Sequence, residues 1–196
     1  MEKLREIADI RMGYPFRSRL RHEPTGSVAV VQMKDIDEEN LLHIEDAVRV
    51  ELPDLKERHL LRGGDLVFRS RGQTYSAVLV PLSVGPAIVA APMFLIRPVR
   101  VLPAYLLWYI NLPTTQTTLA SMAKGTSVQM ISKAALDELE IPLPSRQQQS
   151  RVVEFAALAS AEQRLLEQVT KERKRLADGV LMRYARNTRQ LPNQQI

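Results

Sequence analysis

From Ser145 to Arg189 the chain contains no proline, one glycine, and apolar residues that return every three or four positions. Only a long amphipathic helix satisfies that pattern. Val152, Phe155, Ala159, Leu166, Val169, Leu176, Val180 and Tyr184 fall on one stripe, and charges of both signs fill the other faces. At 1.5 Å per residue the helix would be about 60 Å long, with an apolar stripe too narrow for a core element throughout. It needs a partner helix for part of its length. Glu162 and Arg173 interrupt the seam, so the expected coiled coil is short or imperfect. Gly179 weakens the distal turn, and residues 190–196, with Leu191-Pro192-Asn193, are expected to fray.

Residues 1–144 are built otherwise, from short apolar runs broken by Pro and Gly. Leu4 to Ile10 is an amphipathic or extended opening, Gly13-Tyr14-Pro15-Phe16 a turn, and Ser27 to Met33 a strand. Ala47 to Val50 alternates inside an acidic zone, and a turn of helix precedes Leu60. Arg62-Gly63-Gly64-Asp65 is a turn and Leu66-Val67-Phe68 a short buried strand. Ala77 to Ile96 runs for twenty residues without a charge, about the length that spans a bilayer. Pro81, Pro86, Pro92 and Gly85 argue against one helix there. The segment reads as buried strands, AVLV and AIVAAPMFLI, joined by a PLSVGP hairpin turn. Pro103 to Leu112 is the best helix of this region, with proline at its start where it costs least, and Thr114 to Ala123 is a second helical piece.

The stretch Lys124 to Pro144 joins the two regions. Gly125 relaxes the backbone, Thr126 and Ser127 supply small hydrogen-bonding groups, and Ser132 is the N-cap of a short helix over Lys133–Leu139. Ile141-Pro142-Leu143-Pro144 must then be extended, because each proline drives its predecessor out of the α region. The organisation is α+β: a globular domain over 1–144, a long helix over 145–189 that needs a partner helix, and a tail over 190–196.

Several function classes fall away. Without cysteine there are no disulfides and no thiolate metal sites, and a reducing compartment, the cytoplasm, is the expected location. The charged N-terminus, MEKLREIADIRMG, is not a signal peptide. His22, His43 and His59 lack metal-ligand spacing, Gly63-Gly64 lacks the lysine and third glycine of a phosphate loop, and no serine or cysteine nucleophile motif occurs. Glu172-Arg173-Lys174 has the letters of a nuclease site but lies mid-helix, where a solvated ion-pair face is the simpler reading. No enzyme, metal or cofactor is therefore expected.

A polyanion partner is favoured by how charge is distributed. Asp37 to Arg58 holds eight acidic residues against three basic, whereas Arg146 to Arg189 holds ten basic against five acidic. The chain is electrically zoned, as suits a protein that offers one face to a nucleic acid. Arg69, Arg71, Gln73, Thr74 and Tyr75 follow directly on a buried strand, so a rigid scaffold would present guanidinium, amide and ring together. Arginine can hold guanine bidentately and glutamine adenine, and either can hold phosphate. Arg17, Arg19 and Arg21, Lys34 at a strand end, and Lys124, Thr126, Ser127 and Gln129 on the Gly125 loop are further candidates. For the Arg69–Tyr75 loop the alternative is a set of solvated loop residues; for the Gly125 loop it is a simple helix N-terminus.

The ordered set of segments resembles one half of the specificity (S) subunit of type I restriction-modification systems. It comprises Leu4 to Ile10, Leu61-Arg62-Gly63-Gly64-Asp65-Leu66-Val67-Phe68 with Arg69-Ser70-Arg71-Gly72, Ala87 to Pro98, Pro103 to Leu107, Gly125 to Ser132, Leu139 to Pro144 and the terminal helix. The resemblance implies a target-recognition domain with a twisted mixed sheet that reads half of a bipartite site in double-stranded DNA. Its helix would pair as an antiparallel coiled coil and help dock the adenine-specific methyltransferase and restriction subunits, which carry the chemistry. Members of full length hold two such units; this sequence holds one and has no internal repeat, so a homodimer through the helix would restore the pair. One departure is Arg146-Gln147-Gln148-Gln149, where the family has an apolar residue and then Glu-Gln. The rival reading is a coiled-coil interaction protein that binds or antagonises a restriction complex without reading DNA; a free-standing nuclease is the third.

Overall fold

The computed structural model describes residues 1–17, 20–72, 74–125 and 128–187. In chain order the elements are β1 (Glu2–Lys3), α1 (Leu4–Ile7), β2 (Ala8–Met12), β3 (Val28–Val31), β4 (Val48–Val50), β5 (Leu66–Phe68), β6 (Ala77–Leu79), β7 (Ala87–Val89), β8 (Phe94–Pro98), α2 (Pro103–Asn111), α3 (Pro113–Met122), α4 (Lys133–Asp137), β9 (Glu140–Ile141) and α5 (Arg146–Asn187). Met33–Asp35 and Glu57–His59 are single 3-10 turns. The chain divides into two compact units, Met1–Val153 and a second beginning at Glu154.

Three sheets build the first unit. The largest runs β2-β8-β5-β6 and is antiparallel throughout; a second runs β4-β3-β7, with β3 antiparallel to β4 and parallel to β7; β1 and β9 form a two-stranded ribbon. The mixed sheet and the long terminal helix agree with the α+β expectation. Side-chain alternation then sorts the apolar residues into layers. Leu66, Phe68, Phe94 and Ile96 face one way, into a core shared with Leu4, Leu106, Ile110, Leu119 and Leu136 of the helices. Val67 and Leu95 face the other way and meet Ala29, Val31, Ala87 and Val89 of the smaller sheet. Val28, Val30 and Ile88 form the outer face of that sheet, under Tyr14, Phe16, Leu20, Leu52 and Leu55. Strands buried on both faces read as continuous apolar runs, which is why AIVAAPMFLI carries no polar alternation.

That run is nevertheless two strands. The chain leaves β7 in one sheet, turns through Ala90–Met93, where the Ala91–Pro92 bond is cis, and enters β8 in another. Nor is Pro81–Pro86 a hairpin turn, because β6 and β7 belong to different sheets. The apolar pattern fixes burial but says nothing about which neighbour a strand pairs with.

Polar side chains complete the backbone where strands and helices end. β6 lies at an edge of its sheet. There Asn111 accepts from the Ala77 N–H and donates to its carbonyl, both at 2.9 Å, and Gln116 does the same for Tyr75 at 3.0 Å. Two amides thus stand where another strand would pair, and they protect the edge. Ser132 caps α4 by accepting from the Ala135 N–H at 3.1 Å. Ser145 and Gln148 form a reciprocal capping box at the start of α5. Gln149 is buried one residue further on; it accepts from the Leu102 N–H at the start of α2 (2.9 Å) and donates to the Pro144 carbonyl (2.8 Å). The glutamine run therefore ties the first turns of α5 into the globular unit, and Val152 and Val153 pack on its core.

Asp65 is almost wholly buried and makes three side-chain hydrogen bonds. Its carboxylate accepts from the Arg62 N–H at 2.7 Å, closing the turn, and takes both Nε and Nη2 of Arg97 at 2.8 and 2.7 Å. Arg97 Nη2 also donates to the Leu60 carbonyl at 2.9 Å. Removing one partner of such a pair leaves the other charge uncompensated, so Asp65→Ala is expected to cost about 3–5 kcal/mol in urea unfolding. Asp65→Ala with Arg97→Met should recover much of it. A single-variant loss under about 1 kcal/mol would show that the pair is not what holds this turn.

Candidate nucleic-acid interface

Backbone contacts bring three cation-bearing loops together. Ser70, at the end of β5, donates through Oγ to the Pro92 carbonyl at 2.7 Å, and its own carbonyl accepts from the Ile131 N–H at 2.7 Å. Arg71 then forms an antiparallel bridge with Met130, and Met130 exchanges both backbone hydrogen bonds with Lys124, at 3.1 and 3.0 Å. Gly125 permits this turn: it has φ +136°, and a Cβ there would lie 2.2 Å from the Val128 carbonyl oxygen. A Cβ on Gly72, at φ +118°, would meet the end of the Met33 side chain at 3.6 Å, and the neighbouring Lys34 lines the same cleft as Arg71.

Arg71 and Lys34 line one cleft of about 530 Å³, together with Phe16, Gln32, Pro92 and Met93. Arg71 is exposed, and its guanidinium has no partner among the described residues. Lys34 is also exposed; its Nζ lies 3.6 Å from Asp35 Oδ1, while Asp35 Oδ2 accepts from the Gln32 N–H at 2.8 Å. Lys124, Thr74 and Gln129 are exposed as well. A second hollow shares Phe16 with the first and is lined by Tyr14, Arg17, Lys56, Arg58 and His59, with Asp54 as its one carboxylate. Burial and then the charges of Arg58, Arg11 and Lys56 hold the His59 pKa below its ordinary value, a sign of how closely cations gather there.

Two of the expected contacts are turned inward. Tyr75 is buried in the helix-side core, with its backbone held by Gln116. Arg69 is half-buried: Nε donates to Ser76 Oγ at 3.0 Å, and Nη2 donates to Asn40 Oδ1, which also accepts from Ser76 Oγ at 2.6 Å. Burial pushes the Arg69 pKa down, opposed by the Asp37 carboxylate. Arg69 therefore pins the Asn40 turn and does not face solvent as a free cation. Arg21 lines an adjoining hollow together with Glu23 and Glu51. Arg19, Gln73, Thr126, Ser127 and the tail lie outside the described residues.

Lys56 and Arg58 were hidden by the acidic zone in which they stand, and Gln32 by its place at the end of a strand; the polar letter closing VAVVQ was the only signal for it. The histidines are separate: His22 Nδ1 accepts from the Arg49 N–H, His43 Nε2 pairs with Asp37 at 2.7 Å, and His59 stands edge-on to Tyr14. Among the described residues no group of three or more His, Cys, Asp or Glu could hold a metal ion, and no helix is long and apolar enough to cross a membrane.

In the second unit, Phe155, Ala159, Leu166, Val169, Leu176, Val180 and Tyr184 are exposed along α5, and Leu158, Leu165 and Leu181 widen the apolar stripe. Val152 departs from that set, since it is half-buried against the core of the first unit.

Layered sheets followed by a long terminal helix are the fold of a specificity domain. The sequence matches the type I restriction modification DNA specificity domain over residues 1–171, and the chain belongs to that family. Its fold is similar to that of the HsdS subunit from Thermoanaerobacter tengcongensis, with TM-score 0.61 and 21% identity over 82% of this chain and 37% of that one. A chain from a study of complex assembly and conformational transition of the type I R-M system gives 0.68 and 22%, over 91% and 43%. The type I S subunit from M. genitalium gives 0.55 and 13%, also over 91% and 43%. The chain thus spans less than half the length of these solved relatives. No curated protein matches its sequence.

The geometry separates the two arginines of the loop. Arg69→Ala is expected to lower unfolding stability by about 1–2 kcal/mol, because it leaves Asn40 and Ser76 without their shared donor. Arg71→Ala should leave the unfolding midpoint within error. Equal effects on chemical denaturation would contradict the inward placement of Arg69.

Proposed function

We propose that this chain is a sequence-specific DNA-binding specificity subunit that reads one half of a bipartite site. The observation that carries the reading is the grouping of Lys34, Arg71 and Lys124 on neighbouring loops: Arg71 and Lys124 are tied through Met130 by backbone pairing, and Lys34 lines the same cleft as Arg71. A rigid scaffold that presents exposed cations around a cleft suits phosphate contacts that position a duplex and a few side chains that read it. Arg17, Lys56 and Arg58 in the adjoining hollow extend the cationic surface, while Thr74 and Gln129 are candidates for short-range contacts; Gln73, Thr126 and Ser127 belong to the same loops.

In this reading the apolar stripe of α5 pairs antiparallel with that of a second copy, making a homodimer whose two-fold symmetry calls for a palindromic split target. The paired helices set the half-site distance and, with residues 1–144, dock an adenine-specific methyltransferase and a restriction subunit in the cytoplasm. Methylation and cleavage belong to those subunits, so the chain itself is not an enzyme. The exposed stripe also favours a second reading, in which the helix binds or antagonises a restriction complex and the domain reads no DNA.

Salt dependence separates the two. Replacing Lys34, Arg71 and Lys124 together by alanine is expected to flatten the slope of log affinity against log salt by about 0.9 for each phosphate no longer neutralised, roughly 2–3 in all. No measurable salt slope for the wild-type chain would favour the second reading. Affinity capture from native cells at moderate salt should recover a methyltransferase. For the helix, Leu166→Glu with Val169→Glu should convert a dimer to a monomer in sedimentation equilibrium; a wild-type chain already monomeric at tens of micromolar would overturn the homodimer.

A further inference from the structure

Gln32 Nε2 is the one buried side-chain nitrogen or oxygen among the described residues that has no hydrogen-bond partner. The backbone of the residue is satisfied. Its N–H donates to Asp35 Oδ2 at 2.8 Å, and its carbonyl accepts from the Asp35 N–H at 3.0 Å. Buried amide donors are almost always paired, and one left idle destabilises the fold. Gln32 lines the cleft shared by Phe16, Lys34, Arg71, Pro92 and Met93, while its idle Nε2 is buried. The terminal torsion of glutamine is soft, and the amide can turn into that cleft at little cost.

The chemistry around it narrows what the ligand is. A side-chain amide can donate to N7 and accept from the N6 amino group of adenine; opposite guanine its oxygen would face the O6 acceptor instead. Phe16, Pro92 and Met93 supply the apolar wall that a thymine methyl group prefers, and Lys34 and Arg71 supply cations for the flanking phosphates. We propose that Gln32 is the base-reading residue of this cleft and that it takes the adenine of an A·T pair. The assignment rests on the DNA-reading function argued above and names its specificity determinant.

The test is selection of the full chain against a duplex library of randomised sequence, followed by sequencing, for wild type, Gln32→Ala and Gln32→Glu. Wild type should enrich a motif containing an A·T pair that Gln32→Ala relaxes by about tenfold or more, with the other positions retained. Gln32→Glu keeps the acceptor and loses the donor, so preference at that position should move toward cytosine, a gain that a misfolded variant could not produce. Enrichment of one and the same motif by all three proteins would overturn the assignment and leave DNA reading intact. Relaxation confined to a G·C pair would overturn it too. If wild type enriches no motif, both the assignment and the DNA-reading function fail.

Discussion

The buried carboxylate of Asp65 joins three parts of the chain that sequence order keeps apart. It closes the turn before β5 through the Arg62 N–H, grips Arg97 of β8 with both oxygens, and through Arg97 reaches the Leu60 carbonyl. β8 is paired on both sides, with β2 and β5, so holding Arg97 holds the middle of the sheet. The carboxylate also keeps the Arg97 guanidinium above its ordinary pKa. Register between β5 and β8 decides where Ser70 meets Pro92, and Ser70 in turn anchors the Arg71 bridge. The geometry of the cationic cleft is therefore set at the opposite end of β5, by an ion pair that lines no part of the cleft.

Element positions were largely legible because each is punctuated locally. Pro103 opens α2, Ser132 caps α4, and the Arg62–Asp65 turn falls where expected. Pairing was not legible. The apolar run from Ala87 to Ile96 shows that its residues are buried, but the hand-over at Ala90–Met93 from one sheet to the other depends on neighbours brought in from Val28–Val31 and Ala8–Met12. Side-chain alternation cannot report it, since both faces of both strands are covered.

The candidate contacts show the same division. Arg69, Arg71, Thr74 and Tyr75 share one polar loop, and nothing in their local spacing distinguishes them. Asn40, twenty-nine residues before Arg69, and Gln116, forty-one after Tyr75, turn two of them inward. Asn111, Gln116 and Gln149 carry the converse lesson. Each looks like a surface amide, yet each takes over the hydrogen bonding of a backbone segment that has run out of partners. An amide offers a donor and an acceptor at the spacing of a peptide group, so it can stand in for one. Gln32 is the amide of this kind that finds no peptide to match.

Charge counted along the sequence also misjudges the surface. The acidic zone from Asp37 to Glu57, with Asp35 just before it, would be expected to neutralise the cations of the recognition loops. In the fold the two acids nearest Lys34 in sequence that are not fully exposed, Asp35 and Asp37, are committed to local structure, while the acids from Glu38 to Glu57 stay at the surface outside the Arg71 cleft. Asp35 caps its own turn at the Gln32 N–H, and Asp37 binds His43 and then the Leu41 N–H, which hold its carboxyl below the usual range. Their charge is answered by nearby donors, and Asp35 is buried. Lys34, Arg71 and Lys124 remain at the surface. Acids that cap turns sit close to the backbone, whereas long cationic side chains reach outward. A stretch rich in acids thus folds beside a cleft whose accessible charge is positive, which is the property a phosphate backbone meets first.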